Sequence, residues 1–294
     1  MNQGQCRLIE IEQELSGFNS FIGSWLYLGD VNLMVDVGPA ASANRLIGAL
    51  TGIGVSDVDY ILLTHIHIDH AGGLAECLEH FPMARVICHN KFVRHLVDPS
   101  SLWDGSLKVL GEIAEAYGRP QAVQEDVFIP HTEPPEEDLV VVETPGHAPH
   151  HLSFGFRGHL FAGEAAGNYY VGEGWDYLRP ATPPKFFQEV FLDSVDKLMG
   201  LEDQHICYAH FGEAQSSHKM LTRFRAQILR WQDVIQEETS NGLNDVMTRC
   251  VDRLLKEDPD LQAHRFMAPD VQKRERFFVT NSVRGYLDFL QNME

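Results

Sequence analysis

Long apolar runs are missing from this 294-residue chain. None approaches the roughly 18–20 residues that cross a bilayer, so a membrane-embedded protein is not expected. The opening MNQGQCRLIEIEQELSG has no basic segment leading into an apolar one, so no export signal is visible and a cytoplasmic location is expected. Cysteine is scarce: Cys6, Cys77, Cys88, Cys207 and Cys250 are scattered, odd in number and free of any CxxC pair. That pattern points to reduced thiols rather than a disulfide framework. Cys88 and Cys207 sit in apolar, strand-like runs and read as small core residues. Positive charge is also short, with 23 Lys and Arg against 42 Asp and Glu, a net charge of −19. Phosphate contacts dominate nucleic-acid affinity and anionic membranes attract basic patches, so neither partner is expected. A hydrophobic content of 44% with 22% charged residues excludes a disordered chain.

Histidine is what the chain has in quantity, 15 residues in all. Most fall in polar or amphipathic surroundings. His80, His95, His131, His159, His218 and His264 are expected on the surface, and His89 and His205, at the ends of strand-like runs, in structural roles. The exception is the run Leu62-Leu63-Thr64-His65-Ile66-His67-Ile68-Asp69-His70-Ala71-Gly72-Gly73. Here a β-rich stretch feeds a loop that holds three His and one Asp within six residues. Side chains alternate along extended backbone, so His65 and His67 point to one side and can share a metal ion. Asp69 and His70 turn toward a second position as a helix begins. Gly72-Gly73 lets that helix start close against the site. A His and carboxylate set without thiolate suits zinc, iron or manganese.

The organisation around this run is mixed. Residues 24–28 and 31–36 read as two strands joined at Gly29-Asp30, a tight hairpin turn. A helix is predicted over 42–52, a strand over 58–64, a helix over 72–80 and a strand over 84–89. Helices follow over 90–97 and 106–117, then a Pro- and acid-rich loop over 129–139. Strands over 139–143, 151–156 and 159–163, a helix over 185–199 and a strand over 205–209 complete an α/β body. From about residue 214 no strand pattern appears, and helices are predicted over 215–238, 242–255 and 270–291. We therefore expect a body over 1–214 and a C-terminal helical subdomain over 215–294.

The HxHxDH run resembles the signature of the metallo-β-lactamase-fold superfamily, and further motifs occur in that superfamily's order. Thr144-Pro145-Gly146-His147 is similar to its third-histidine motif, Leu160-Phe161-Ala162-Gly163-Glu164 to the strand end with the bridging carboxylate, and Tyr208-Ala209-His210-Phe211-Gly212 to its last motif. Met34-Val35-Asp36-Val37-Gly38 resembles the early strand whose Asp supports the site from behind. The resemblance covers roughly 15–214. It implies an αββα sandwich of two mixed sheets flanked by helices. It also implies two divalent metal ions, one held by His65, His67 and His147 and the other by Asp69, His70 and His210. Glu164 stands where the family usually has Asp; it either bridges the metals or serves one of them. Asp36, His150, His151 and Tyr169 are implied as supporting or substrate-facing residues, with a solvent-facing position open for His150. Tyr169-Tyr170 and the pair Trp175/Tyr177 either line a pocket or pack the helical tail.

The closest likeness is to the glyoxalase II-like branch, whose helical tail also matches. Arg179-Pro180-Ala181-Thr182-Pro183-Pro184 would then lie near the site mouth. The implied activity is hydrolysis by a metal-bound hydroxide, with Asp69 and Glu164 at the reacting centre. The substrate would be a small-molecule thioester, ester or lactone, and the metal zinc first, iron or manganese otherwise. A phosphodiesterase, a one-iron sulfur dioxygenase and a non-catalytic metalloprotein are the alternatives, and a homodimer is a possible assembly.

Overall fold

The computed structural model describes residues 4–291. These fall into two compact units, one running to Val141 and resuming over Leu152–Arg157, the other formed by Val142–His151 and the chain from Gly158 onward.

The first unit is built on a mixed six-stranded sheet: β1 (Gln5–Glu10), β2 (Gly23–Leu28), β3 (Leu33–Val35), β4 (Tyr60–Leu62), β5 (Arg85–Cys88) and β6 (Phe128–Pro130), hydrogen-bonded in that order. β1, β2 and β3 pair antiparallel, and β3 through β6 pair parallel. β2 and β3 thus form the expected hairpin, but residues 29–32 connect them rather than a two-residue turn at Gly29-Asp30. The helices are α1 (Ala43–Gly52), α2 (Ile68–Ala71), α3 (Leu74–His80), α4 (Arg94–Val97), α5 (Ser100–Leu110) and α6 (Glu112–Tyr117). The helix expected over 106–117 is two helices, broken where Gly111 takes a φ of +55°. The apolar faces of Leu33, Met34, Ile61, Leu62, Val86 and Ile87 are fully buried, as parallel strands covered on both faces require.

β7 (Leu139–Glu143) leads from the first unit into the second, and β8 (Leu152–Phe156) belongs to the first. In the second unit β9 (His159–Gly163) and β12 (His205–Tyr208) pair parallel, and β13 (Glu213–Ala214) joins β12 antiparallel. β10 (Asn168–Gly172) and β11 (Trp175–Arg179) form a hairpin of their own. The helices are α7 (Gln188–Met199), α8 (Ser217–Ser240), α9 (Val246–Glu257) and α10 (Pro269–Gln291). Helix α8 buries Met220, Leu221, Phe224, Ile228, Trp231 and Ile235, a stripe at helical spacing that faces α7, α9, β11 and β12. The helices after residue 214 thus share one compact unit with β9–β13, and the two units divide elsewhere than at 214. Among the described residues no helix is long and apolar enough to cross a membrane.

All five cysteines are free thiols. Burial pushes Cys77 and Cys88 up to about 12 and, with Glu238 nearby, Cys250 up to about 11, while Cys207 is 1% exposed. Only Cys6 is half-exposed. A thiolate-directed reagent at pH 8 should therefore add once to the native chain and five times to the unfolded one, read by intact mass. A second fast adduct on the folded protein would contradict this core.

Candidate metal centre

Parallel strands bring their C-terminal ends side by side, and both units use this to assemble polar groups. In the first unit β3 and β4 are neighbours with Val35 opposite Leu62. Asp36 and Thr64 therefore leave the sheet together, and the Asp36 N–H still donates to the Leu62 carbonyl at 2.9 Å. Asp36 adopts φ +57°, a left-handed conformation that Asp tolerates better than most residues. There its carboxylate accepts three hydrogen bonds. Oδ1 takes the Thr64 N–H at 2.8 Å, and Oδ2 takes the Thr64 hydroxyl at 2.8 Å and His70 Nδ1–H at 3.0 Å.

These bonds settle which nitrogen of each histidine is left for a ligand. The Thr64 hydroxyl spends its proton on Asp36, so its oxygen accepts from His65 Nδ1–H at 3.0 Å. His65 and His70 thus both carry their proton on Nδ1 and present a lone pair on Nε2. Their rings lie 4.1 Å apart, and His67 lies 4.6 Å from His65. Asp69 Oδ2 stands 3.6 Å from His70 Nε2. Gly72 and Gly73 have no room for a side chain: a Cβ on Gly72 would meet the Ile68 carbonyl at 2.3 Å, and one on Gly73 the Ala43 Cβ at 2.8 Å. The junction between α2 and α3 packs against Pro39, Ala40 and Ala43 for this reason.

The second unit repeats the device. β9 ends at Gly163 and β12 at Tyr208, paired across a small register shift. Glu164 and His210, just past these ends, come together, with Glu164 Oε1 3.6 Å from His210 Nε2. The other oxygen, Oε2, lies 2.8 Å from His147 Nε2. His147 donates its Nδ1–H to the Ala181 carbonyl at 2.7 Å, so Nε2 is the nitrogen turned toward Glu164, for a proton in the imidazolium or for a metal ion in the neutral ring. Glu164 is 5% exposed and His210 3%. The turn before His147 is close-packed, since a Cβ on Gly146, at φ +150°, would fall 2.6 Å from the Phe191 ring.

The supporting residues divide more finely than their types suggest. His151 is saturated: Nε2 accepts the Glu164 N–H at 3.0 Å, and Nδ1–H donates to the Thr144 hydroxyl at 2.8 Å. It fixes where Glu164 leaves β9 and has no nitrogen for a metal. His150 is 6% exposed, which excludes the solvent-facing position. The Tyr169 hydroxyl donates to Asp176, which is paired with Arg223 of α8, and the Arg223 guanidinium lies over the Tyr169 ring. Of the two readings for these aromatics, Tyr169 follows the one in which they pack helices. His131, expected on the surface, is buried at 6% exposure. Its ring stacks on His89 at 4.7 Å, and it exchanges hydrogen bonds with Asn90 through Nδ1 and its own N–H. Thr64 and the Ala181 carbonyl are the functional groups that sequence reading left without a role.

The donor chemistry of both sets, imidazole and carboxylate without thiolate, fits a divalent cation. Comparison with known proteins agrees. The model of the metallo-beta-lactamase superfamily matches residues 21–210. A metallo-beta-lactamase fold-containing protein, ST1585 of Sulfurisphaera tokodaii, is 30% identical over 186 residues, 60% of this chain and 69% of its own length. A hydroxyacylglutathione hydrolase of Salmonella paratyphi A is 28% identical over 193 residues, 63% of this chain but only 60% of that enzyme. Among solved structures, that of ST1585 superposes with a TM-score of 0.71 at 23% identity, covering 96% of this chain and 98% of the other. A metallo-beta-lactamase family protein of Thermus thermophilus, TTHA1429, superposes with a TM-score of 0.59 at 21% identity, covering 98% and 93%.

Proposed function

The chain belongs to the metallo-beta-lactamase superfamily and has its fold, and on that premise we propose that it is a dinuclear metal-dependent hydrolase acting on a small-molecule thioester, ester or lactone. His65, His67 and His147 would hold one ion, Asp69, His70 and His210 the other, and Glu164 would serve both. The observation that carries this is the setting of Glu164. Its two oxygens address two different histidines, and His147 approaches at 2.8 Å with its Nδ1 proton already committed to Ala181. A carboxylate oxygen that close to Nε2 calls for positive charge there, supplied by a proton on an imidazolium or by a divalent ion that both groups would bind. Glu is one methylene longer than the usual Asp, and its start just beyond β9, held by His151, gives that extra reach a fixed origin. Divalent ions there would lower the pKa of a coordinated water and polarise a carbonyl. The chain's own part is to present neutral Nε2 lone pairs through Thr64, Asp36 and Ala181, and to shape the site in low dielectric. The thioester or lactone class rests on the likeness to hydroxyacylglutathione hydrolases, which is distant, and on the Thr-Pro-Gly-His motif.

The test pairs metal content with turnover. We expect about two metal ions per chain by mass spectrometry, hydrolysis of glutathione thioesters or acyl lactones, and loss of one ion with collapse of turnover in Glu164→Gln. One iron per chain with oxygen uptake on persulfides would overturn the hydrolase. Two ions with turnover of phosphodiesters alone would overturn the substrate class.

A further inference from the structure

His147 differs from His70 in what holds its proton. His70 donates to a carboxylate anchored by two further bonds; His147 donates to a backbone carbonyl, that of Ala181. That carbonyl is only as fixed as its segment. The segment runs Arg179-Pro180-Ala181-Thr182-Pro183, where two prolines donate no N–H to any ladder. It leaves β11 at Arg179, which pairs with Asn168 of β10, and beyond that point helix α10 holds it. Arg179 Nε donates to Glu275 at 2.6 Å in a pair 2% and 0% exposed. The Ser282 hydroxyl donates to the Pro180 carbonyl at 3.1 Å, and the Thr182 hydroxyl donates to the Ser282 carbonyl at 3.1 Å, so Ser282 holds the residues on both sides of Ala181. Gly285 lies so close that a Cβ there would fall 2.2 Å from the Pro183 carbonyl. Glu275, Ser282 and Gly285 are seven and three residues apart, one stripe of a helix. Burial pushes the Glu275 carboxyl up, but Arg179 and Arg274 override it and hold it below its ordinary value, so the anchor stays charged. Helix α10 is in turn braced on α8, where the Tyr286 hydroxyl donates to the Ile228 carbonyl at 3.2 Å.

We propose that α10 is a positioning element for the metal site: its Glu275–Ser282–Gly285 stripe fixes the Arg179–Pro183 segment, and through the Ala181 carbonyl fixes the tautomer and aim of His147. This rests on the reading of His147 as a ligand. Partners one step behind a metal-binding histidine typically change metal affinity about 10–100-fold when lost. A C-terminal helix far along the chain thereby sets how firmly the site holds its ion.

Full-length Thr182→Val, Ser282→Ala and Gly285→Ala proteins would be compared with His147→Ala and with Ser217→Ala. Ser217 is a buried hydroxyl of α8 that bonds Asp203 and Gln204, outside the segment, and so reports mere loss of a buried bond. Zinc affinity would be read by chelator competition and the ligand field by the visible spectrum of the cobalt-loaded proteins, at a temperature where circular dichroism shows every apoprotein folded. We expect zinc binding to weaken about tenfold in Thr182→Val and Ser282→Ala and more in Gly285→Ala, with altered cobalt bands, while Ser217→Ala binds as wild type. Wild-type zinc affinity and cobalt spectra in all three segment variants, with metal lost from His147→Ala, would overturn the role of α10 and leave the ligand assignment standing. Unchanged metal in His147→Ala would overturn the ligand assignment, and this proposal with it.

Discussion

Asp36→Ala is expected to destabilise the protein by about 3–5 kcal/mol and to empty the site it supports. The residue is 2% exposed, and its carboxylate is the acceptor for three buried donors, the Thr64 N–H, the Thr64 hydroxyl and His70 Nδ1–H. Each donor left unmatched costs about 1–3 kcal/mol, and a water entering the vacated space offsets part of the sum. Alanine also takes a left-handed backbone less readily than aspartate, which adds to the loss. Asp36→Asn separates the two effects. Asparagine keeps the shape and an oxygen for the Thr64 N–H, but turns an amide donor toward His70. His70 then does best with its proton moved to Nε2, the nitrogen a metal needs. The asparagine variant should unfold within about 1–2 kcal/mol of wild type in denaturant yet bind its metal about 10–100-fold more weakly. If Asp36→Asn retains full metal affinity, the tautomer relay through Asp36 does not operate.

The relay shows what the sequence made legible. The ligand types were readable because they cluster: His65, His67, Asp69 and His70 lie within six residues, and alternation in extended backbone dictates their facing. Asp36 and Thr64 were harder, since their contact spans 28 residues and depends on β3 and β4 being parallel neighbours. The Ala181 carbonyl leaves no trace in sequence, because any residue supplies a carbonyl. His131 was misplaced for the same reason. Its local surroundings, IPHTEPPEEDL, are those of an exposed loop, and what buries it is reciprocal bonding to Asn90, 41 residues away. Strand β1 carries the charged Arg7 between Cys6 and Leu8 and pairs with β2 alone as the first strand of its sheet, so the periodic signal of a buried strand is weak. The β10–β11 hairpin was hidden by its aromatics: Tyr169, Tyr170, Trp175 and Tyr177 read as pocket lining or as packing for the helical tail, although Glu173-Gly174 between them is a two-residue turn.

Deleting residues 215–294 is expected to cost more than a helical appendage. The change of texture near residue 214 marks where strand patterns end, but the helices beyond it complete the core of the second unit. Phe224 of α8 packs on Phe191 of α7 at 5.8 Å, and Tyr286 of α10 packs on Phe186 at 4.5 Å. Arg179, fully buried, loses Glu275, its ion-pair partner, and an uncompensated buried charge alone costs about 3–5 kcal/mol. Phe186, Phe191, Leu178 and Ile206 are buried at 2% exposure or less, and a truncation exposes apolar area around them at about 25 cal/mol per Å². Those costs together are a large part of the about 5–15 kcal/mol by which a domain is stable. The 1–214 chain should therefore be insoluble, or soluble with the near-ultraviolet circular dichroism of its second unit lost, and should retain no more metal than the His65, His67, Asp69 and His70 half can hold. A soluble, monodisperse 1–214 protein with sharp aromatic dichroism and full metal content would instead establish residues 215–294 as a separable subdomain.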